Sequence, residues 1–355
     1  MMAESLLILN LGSPKSPAPK HVRSYLHQFL MDPYVIDLPW VARAGLVYGV
    51  ITWTRPRKSG HAYANIWDAE RGSPLVYHTQ DFVSKLQKLV GRDVEVSMAM
   101  RYAQPSLQKV LTEVVAKNPE RITLCSMYPQ YALSSNETML QECRRVLKKL
   151  KYRGEVRWLK PFHSEEEFVS AFVKRGRDTL PEKLDEQSYV LMSFHGIPER
   201  HIEKLPTHTK GSCLTRRGNC CDELTDKNRD CYRAQAFATA RLLAKSLGIK
   251  QAQYSVSFQS RLGSTPWIKP YSDFVLKDLA ERGFKKVYVF CPSFVTDCLE
   301  TLEEIQIREA EAFRAHGGEE LIQVPCPNSE DVWVEGFSKM YPRLLEPVEI
   351  ALENS

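Results

Sequence analysis

The chain has 355 residues, of which 43% are hydrophobic and 26% are charged, and its formal net charge is +5. This composition is typical of a soluble globular protein with two domains of ordinary size, and no basic block interleaved with aromatic residues indicates nucleic-acid binding. The N-terminus lacks the basic start of a signal peptide and no apolar stretch is long enough to span a membrane, so we expect a cytoplasmic protein.

Short apolar, β-branched segments alternate with amphipathic helical segments along the chain, which predicts a doubly wound α/β fold. The segments that are typical of buried parallel strands are 6–11, 94–100, 121–128, 188–195, 253–258 and 285–291. Weak similarity between the two halves, such as LNLGSP with SFHGIP, indicates two related lobes. We predict an N-terminal lobe over residues 1–165 and a C-terminal lobe over residues 166–355.

The most apolar surface candidate is the segment 36–53, IDLPWVARAGLVYGVITW, which Pro39 and Arg43 interrupt. Such a segment can lie on a membrane or line an apolar entrance to a pocket. The pattern by itself favours the simpler interpretation, an ordinary buried helix.

Polar residues that follow the predicted strands are candidates for a ligand site, because ligands of doubly wound sheets bind at the carboxyl ends of the strands. These residues are Asn10, Arg101, Tyr102, Tyr128, His195, Gln259, Arg261, Asp297 and Glu300. Gly196 and Pro198 force a turn after His195, so its imidazole would lie at a cleft, where it can move a proton or bind a metal. A lone histidine at a strand end is, however, more often structural.

Four cysteines fall between residues 211 and 231, namely Cys213, Cys220, Cys221 and Cys231, among charged and small polar residues. Without a secretory signal, clustered cysteines more often bind a metal than form disulfides. A metal site, a disulfide and a loop of free thiols are the three interpretations.

The segment DCLETLEEI carries Asp297, Glu300 and Glu304 three and four residues apart, and on a helix they form one acidic stripe. Apolar residues alternate with these acids, so the helix can be partly buried, and buried neighbouring carboxylates acquire raised pKa values and can relay protons. Oxygen ligands with one imidazole suit a divalent first-row cation held loosely enough to be released. A solvated helix face with acids near its N-terminus explains the same pattern.

Several long motifs occur in order along the chain: LILNLGSP, FLMDPYVIDLP, IWDAERGSPL, MAMRYAQPS, YPQY, SFHGIPER, SFQSRLGSTPWIKPYSD and DCLETLEEI. Together they resemble the ferrochelatases, the enzymes that insert Fe²⁺ into a porphyrin, and the resemblance covers nearly the whole chain. It implies two Rossmann-like lobes flanking a porphyrin cleft. It also implies formation of protohaem from Fe²⁺ and protoporphyrin IX, the terminal step of haem biosynthesis.

The resemblance further implies roles for individual residues. His195 would handle the metal and act as the base for the pyrrole N–H protons, Glu300 would face it, and Asp297 and Glu304 would continue an acidic path. His195 and Glu300 would contact the substrate Fe²⁺. The positions that match the lining of the pocket are Leu11, Arg101, Tyr102 and Tyr128. The segment 36–53 matches the lip of the pocket, within an active-site lip at about 30–60, which in the family can contact a membrane.

Some ferrochelatases hold a [2Fe-2S] cluster on four cysteines, and in certain bacterial members these lie together in an internal segment. This sequence resembles those members through an insertion at about 205–231. We therefore expect a [2Fe-2S] cluster ligated by Cys213, Cys220, Cys221 and Cys231, with tetrathiolate zinc and a metal-free loop as alternatives.

Other functions compatible with the resemblance are a chelatase for another tetrapyrrole or metal, such as coproporphyrin or cobalt, and a non-catalytic haem or porphyrin carrier. An iron–sulfur sensor is a third. The combination of His195 with three nearby acids argues against the carrier, which would need no proton relay. Oligomeric state varies in the family.

Overall fold

Two sheets organise the chain. The computed structural model describes residues 4–205, 220–263 and 265–351. Its strands are β1 (Glu4–Asn10), β2 (Val94–Met100), β3 (Arg121–Ser126), β4 (Glu155–Leu159), β5 (Ser188–His195), β6 (Tyr254–Gln259), β7 (Lys286–Phe290), β8 (Glu320–Gln323) and β9 (Leu345–Pro347). The strand orders are β2-β1-β3-β4-β9 and β6-β5-β7-β8. The predicted α/β class is confirmed, and the six predicted strands correspond to β1–β3 and β5–β7.

Helices connect the strands. The α-helices are α1 (Pro19–Leu30), α2 (Trp40–Leu46), α3 (Thr52–Ile66), α4 (Pro74–Leu89), α5 (Leu107–Ala116), α6 (Thr138–Lys149), α7 (Glu166–Thr179), α8 (Glu199–Glu203), α9 (Tyr232–Leu247), α10 (Ser272–Glu281), α11 (Ala310–Ala315) and α12 (Asp331–Met340). Val47–Ile51, Leu133–Glu137 and Leu299–Glu309 are π-helical, and Gln251–Gln253 and Tyr341–Leu344 are 3₁₀ turns. Gly248 follows the last residue of α9 and has the left-handed backbone (φ 70°) that is common at helix ends.

Contacts divide the chain into two units. Unit 1 contains Met1–Tyr128, Leu133–Lys160 and Ser329–Ser355, and unit 2 contains Pro129–Ala132 and Pro161–Asn328. The expected lobes over residues 1–165 and 166–355 remain predictions, and these contacts assign the C-terminal segment differently. It belongs to unit 1 because β9 pairs antiparallel with β4 and α12 packs against α4.

The sheet of unit 1 is built around β1, which pairs in parallel with both β2 and β3. The side chains from Leu6 to Leu9 are fully buried because helices cover both faces of a parallel sheet. The core includes Leu111 on α5 and Leu147 on α6. The carboxyl ends of β2, β1 and β3 therefore lie side by side.

The sheet of unit 2 is also built around a central strand, β5, which pairs in parallel with β6 and β7. Every residue of β5 is buried except His195, the last one, which is partly exposed. Its core includes Leu191 on β5, Leu276 on α10 and Phe313 on α11. This packing holds the end of β5 in place, where the candidate site begins.

Candidate active site

In unit 2, the carboxyl ends of three neighbouring strands carry the candidate residues. His195 ends β5, Gln259 ends β6, and β7 is followed by a turn that leads to the acidic segment. The side-chain Nε2 of Gln259 donates to the main-chain oxygen of Glu300 at 2.8 Å and so attaches the start of the acidic helix to β6. His195 and this helix are thus brought to one edge of the sheet.

The imidazole of His195 is held in one tautomer. Its Nδ1 lies 2.6 Å from the carbonyl oxygen of Gly196, and because a carbonyl only accepts hydrogen bonds, Nδ1 carries the proton. The Gly196 N–H donates to the carbonyl of Gln259 at 2.8 Å, and a Cβ at Gly196 would meet that oxygen at 2.7 Å, so glycine is required here. Nε2 of His195 is left as the nitrogen that can act as a base or ligand.

The acidic segment is a π-helix, Leu299–Glu309, rather than an α-helix. Its N-cap, Cys298, has an extended backbone (φ −151°, ψ −170°), so Asp297 lies before the helix. The single stripe expected from α-helical spacing is therefore not formed: Glu300 and Glu304 are on the helix and Asp297 is not. π-Helical geometry is rare and is frequently found at functional sites.

Glu304 is enclosed, with 13% of its side chain exposed. Its carboxylate accepts hydrogen bonds from the N–H (2.9 Å) and hydroxyl (2.5 Å) of Ser260, and the Arg308 guanidinium lies 3.2 Å away. Burial raises the pKa of Glu304, and the charge of Glu300 raises it further, while Ser260, Arg308 and His195 offset part of the rise. Ser260 adopts a left-handed backbone (φ 66°), which costs about 1 kcal/mol and directs both of its donors at this carboxylate.

Glu309, at the end of the same helix, also has a raised pKa. Burial and then the charge of Glu304 raise the pKa of Glu309 to about 7. Sequence reasoning missed Glu309, because α-helical spacing from Glu300 and Glu304 points to position 308, which is Arg308. The helix thus carries two carboxyl groups that bind protons more readily than ordinary glutamates do.

Asp297 is anchored inside unit 2, with 4% of its surface exposed. Its carboxylate accepts hydrogen bonds from Thr301 Oγ1 (2.9 Å), Gln323 Nε2 (3.0 Å), Asn328 Nδ2 (2.7 Å) and the N–H of Cys326 (3.2 Å). These hydrogen bonds attach the turn before the π-helix to the end of β8. The geometry of Asp297 suits a structural anchor for the acidic helix more than a ligand for a mobile cation.

In unit 1, the four expected pocket residues lie at the ends of adjacent strands. Leu11 follows β1, Arg101 and Tyr102 follow β2, and Tyr128 follows β3. The carbonyl of Leu11 accepts the N–H of Tyr102 at 2.9 Å, which fastens two of these ends together. Tyr102 is buried, unlike Leu11, Arg101 and Tyr128, which are partly exposed.

Asp32 connects several residues at this edge through hydrogen bonds, and the sequence analysis did not identify it. One of its carboxylate oxygens accepts from Arg101 (2.5 Å), the Tyr102 hydroxyl (2.9 Å) and Thr138 Oγ1 (2.6 Å), and the other accepts from the N–H of Tyr34 (2.8 Å). Burial, and then the charge of Asp32, raise the pKa of Tyr102 well above its ordinary value. Its position as the acid within the FLMDPY motif could have indicated it.

The segment 36–53 is not an ordinary buried helix. It forms α2 and the π-helix Val47–Ile51, and it exposes large apolar side chains, among them Trp40 (65%), Val41 (75%) and Trp53 (70%). Arg43 is buried beneath them and donates to the carbonyls of Ile36 and Leu38, which holds the preceding turn. Within the described residues, no helix is long and apolar enough to cross a membrane.

Three of the four expected cluster ligands can be located, whereas Cys213 lies outside the described residues. The sulfur atoms of Cys220 and Cys221 are 3.9 Å apart, and Arg233 Nη1 lies 2.9 Å from the Cys221 sulfur. Cys231 is buried and caps the N-terminus of α9. Among residues 4–205, 220–263 and 265–351, no three histidine, cysteine or acidic side chains form a group that could hold a metal ion.

Comparison with known proteins identifies the family. The ferrochelatase family model matches residues 3–343. The chain belongs to the ferrochelatase family. This membership confirms the enzyme and the activity expected from the sequence, the insertion of Fe²⁺ into protoporphyrin in haem synthesis.

Curated ferrochelatases resemble the chain over nearly its whole length. That of Pseudomonas fluorescens is 45% identical over 347 residues, 97% of this chain and 98% of that protein. The ferrochelatase of Pseudomonas aeruginosa is 42% identical over 359 residues, 98% of this chain and 100% of that protein. The solved structure of SirB from Bacillus subtilis with Fe³⁺ has a TM-score of 0.53 at 13% identity, covering 96% of this chain and 95% of that one, and shares the fold.

Proposed function

We propose that His195 is the base of the ferrochelatase reaction and that Glu300 and Glu304 carry away its protons. Insertion of Fe²⁺ releases the two pyrrole N–H protons of the porphyrin, so a site needs one group that takes each proton and a route that removes it. The observation that carries the proposal is the contact of His195 Nδ1 with the Gly196 carbonyl, because it leaves Nε2 as the acceptor.

The acidic helix supports the second half of this proposal. Burial raises the pKa values of Glu304 and Glu309, so their carboxyl groups accept protons at a higher pH than ordinary glutamates. Gln259 attaches this helix to β6 and pairs with His195 at the end of β5. A proton released from His195 therefore finds acceptors in order along one helix.

Fe²⁺ is a substrate of the reaction and not a resident cofactor. The imidazole Nε2 of His195 and the carboxylate of Glu300 are the ligands we propose for the incoming ion, since nitrogen and oxygen donors suit ferrous iron. A set of only two protein ligands holds the ion weakly, which favours its transfer to the four nitrogens of the porphyrin. A pocket that binds the ring bent would expose those nitrogens and match the transition state.

Five further residues take supporting roles in the proposal. Asp297 anchors the acidic helix through its four donors. Arg101 and Tyr102 are held by Asp32, so their part is to keep the ends of β1 and β2 in place. Leu11 and Tyr128 are partly exposed at the same edge and are the ones we propose as contacts for the porphyrin.

We also propose that the cysteine segment holds a [2Fe-2S] cluster on Cys213, Cys220, Cys221 and Cys231. Two thiolates on one tetrahedral metal with bonds of about 2.3 Å lie about 3.8 Å apart, and the sulfurs of Cys220 and Cys221 are separated by 3.9 Å. The guanidinium of Arg233 beside Cys221 suits a thiolate. When bound, the cluster would supply a one-electron redox centre and the ordering energy of a polar segment.

The exposed apolar side chains of α2 and of the first turn of α3 support peripheral contact with a membrane. Trp40, Val41 and Trp53 are exposed to an extent that a solvated surface does not favour, and exposed arginines at 55 and 57 follow them. Trp40→Ala should weaken sedimentation of the protein with anionic lipid vesicles. Equal sedimentation of the variant and the parent protein would remove this contact.

The test of the reaction proposal is His195→Ala, assayed anaerobically with Fe²⁺ and protoporphyrin IX by loss of porphyrin fluorescence. His316→Ala is the matched control, since that ring also donates from Nδ1 to a backbone carbonyl (2.8 Å) in unit 2, but on the exposed end of α11. We expect His195→Ala to lose activity and His316→Ala to keep it. Near-normal turnover without His195 would remove it from the mechanism.

A further inference from the structure

The end of β5 leaves one side of the His195 backbone without a strand partner. β5 pairs with β6 as far as His195↔Gln259, but its pairing with β7 stops at Met192↔Phe290. The N–H of Gly196 points to β6, and successive residues of a strand alternate sides. The N–H and C=O of His195 therefore point to the side where β7 has already ended.

Two hydroxyl groups take the place of the missing strand. The N–H of His195 donates to Ser293 Oγ at 3.1 Å, Ser293 Oγ lies 2.8 Å from the Tyr232 hydroxyl, and that hydroxyl donates to the His195 carbonyl at 2.7 Å. Because a carbonyl only accepts, the Tyr232 proton points to His195, so the Ser293 hydroxyl must donate to Tyr232. The result is a closed ring in which each hydroxyl donates once and accepts once.

The ring is buried, so water does not readily replace either hydroxyl. Tyr232 and Ser293 are 5% and 8% exposed. Tyr232 therefore fixes the peptide that carries the His195 side chain. Its own side chain presents almost no surface to a substrate.

Tyr232 is also the first residue of α9 and directly follows Cys231. The same helix start contacts the cysteine segment a second time, where Arg233 Nη1 meets the Cys221 sulfur at 2.9 Å. The carbonyl of Cys231 accepts the N–H of Gln235 in the first turn. The first turn of α9 is thus fastened to the cysteines on one side and to His195 on the other.

We propose that Tyr232 is a positioning residue for His195, and that through it the metal-bound state of the cysteine segment sets the geometry of the base. The second half of this inference rests on the proposed function, in which Cys231 is a metal ligand. Loss of the metal would release Cys231 and loosen the first turn of α9. The Tyr232 hydroxyl would then move away from the His195 carbonyl.

Tyr232→Phe tests the positioning, because it removes the hydroxyl and keeps the ring. The matched control is Tyr254→Phe, a buried tyrosine of the same unit whose hydroxyl contacts Gln251. We expect kcat to fall about tenfold with an unchanged KM for porphyrin, and the amide hydrogen of His195 to exchange about tenfold faster, as expected for one lost buried hydrogen bond. Iron and sulfide content should not change. If both Tyr→Phe variants behave alike, Tyr232 does not position His195.

Cys220→Ser tests the coupling, since Cys220 is a proposed metal ligand that does not adjoin Tyr232. We expect metal loss to raise hydrogen exchange at His195 to the level of Tyr232→Phe, and the double variant to show no further increase. Additive effects would overturn the coupling. If the parent protein contains no bound iron or zinc, both the cluster and the coupling are overturned. Amide hydrogen exchange at His195 in the Tyr232→Phe variant still decides whether Tyr232 positions His195.

Discussion

Replacing Asp297 by alanine should destabilise unit 2 rather than only slow its chemistry. The carboxylate is 4% exposed and accepts hydrogen bonds from Thr301, Gln323, Asn328 and the N–H of Cys326. Hydrogen bonds to a charged group contribute about 1.5–3 kcal/mol each but are not additive. Removal of the buried carboxylate also leaves its donors without an acceptor. We expect the free energy of unfolding to fall by about 4 kcal/mol.

A loss of this size should lower the melting temperature by about 10 °C for a unit of this length. Circular dichroism during heating measures it, and Glu303→Gln, a change on the partly exposed surface of the same helix, should shift the transition by less than about 2 °C. The metallation rate should be compared well below both transitions. A melting temperature close to that of the parent protein, together with a large loss of activity, would refute the anchoring role and favour a chemical one.

The remaining predictions concern the acidic helix and the cysteines. Glu300→Gln should slow metallation by a factor of about 100, and Glu303→Gln by less than about threefold; equal small effects would indicate a merely solvated acidic face. Because Glu309 has a pKa raised to about 7, the folded state binds its proton more tightly than the unfolded state, and stability falls as the pH rises from about 4.5 to 7. Glu309→Gln should therefore stabilise the protein by about 2 kcal/mol at pH ~8 and hardly at all at pH ~4.5, measured by urea unfolding; a pH-independent difference would contradict this. Serine at Cys220 should remove the bound metal in iron and zinc analysis, whereas serine at Cys125, fully buried in β3, should leave it; metal loss in neither variant would exclude Cys220 as a ligand.

The strands of both sheets could be predicted from the sequence because a buried parallel strand is a local signal. Segments such as 6–11 and 188–195 are short and mostly apolar, which is typical of a strand covered on both faces. The shorter β4, β8 and β9 lack that signal. β9 also pairs antiparallel with a strand almost 190 residues earlier, so its place in unit 1 depends on tertiary contacts.

Part of the site could be predicted for the same reason. His195 and Gln259 follow apolar runs directly, and the carboxyl ends of parallel strands meet at one edge whatever the connecting helices are. The spacing of Glu300 and Glu304 likewise placed both on one helix. The sequence alone therefore determined that an imidazole lies at the end of a strand and that two carboxylates share a helix.

Only the tertiary structure decided how these groups are held. Because the backbone of Cys298 is extended, Asp297 lies outside the helix, where its carboxylate accepts hydrogen bonds from four donors. The π-helix buries Glu309 and not the residue at position 308. The hydroxyls of Tyr232 and Ser293 reach His195 from 37 and 98 residues away. Such contacts follow from which strands become neighbours and from where each one stops, as β7 stops before His195. Local sequence patterns do not specify either, because both depend on how distant parts of the chain pack together.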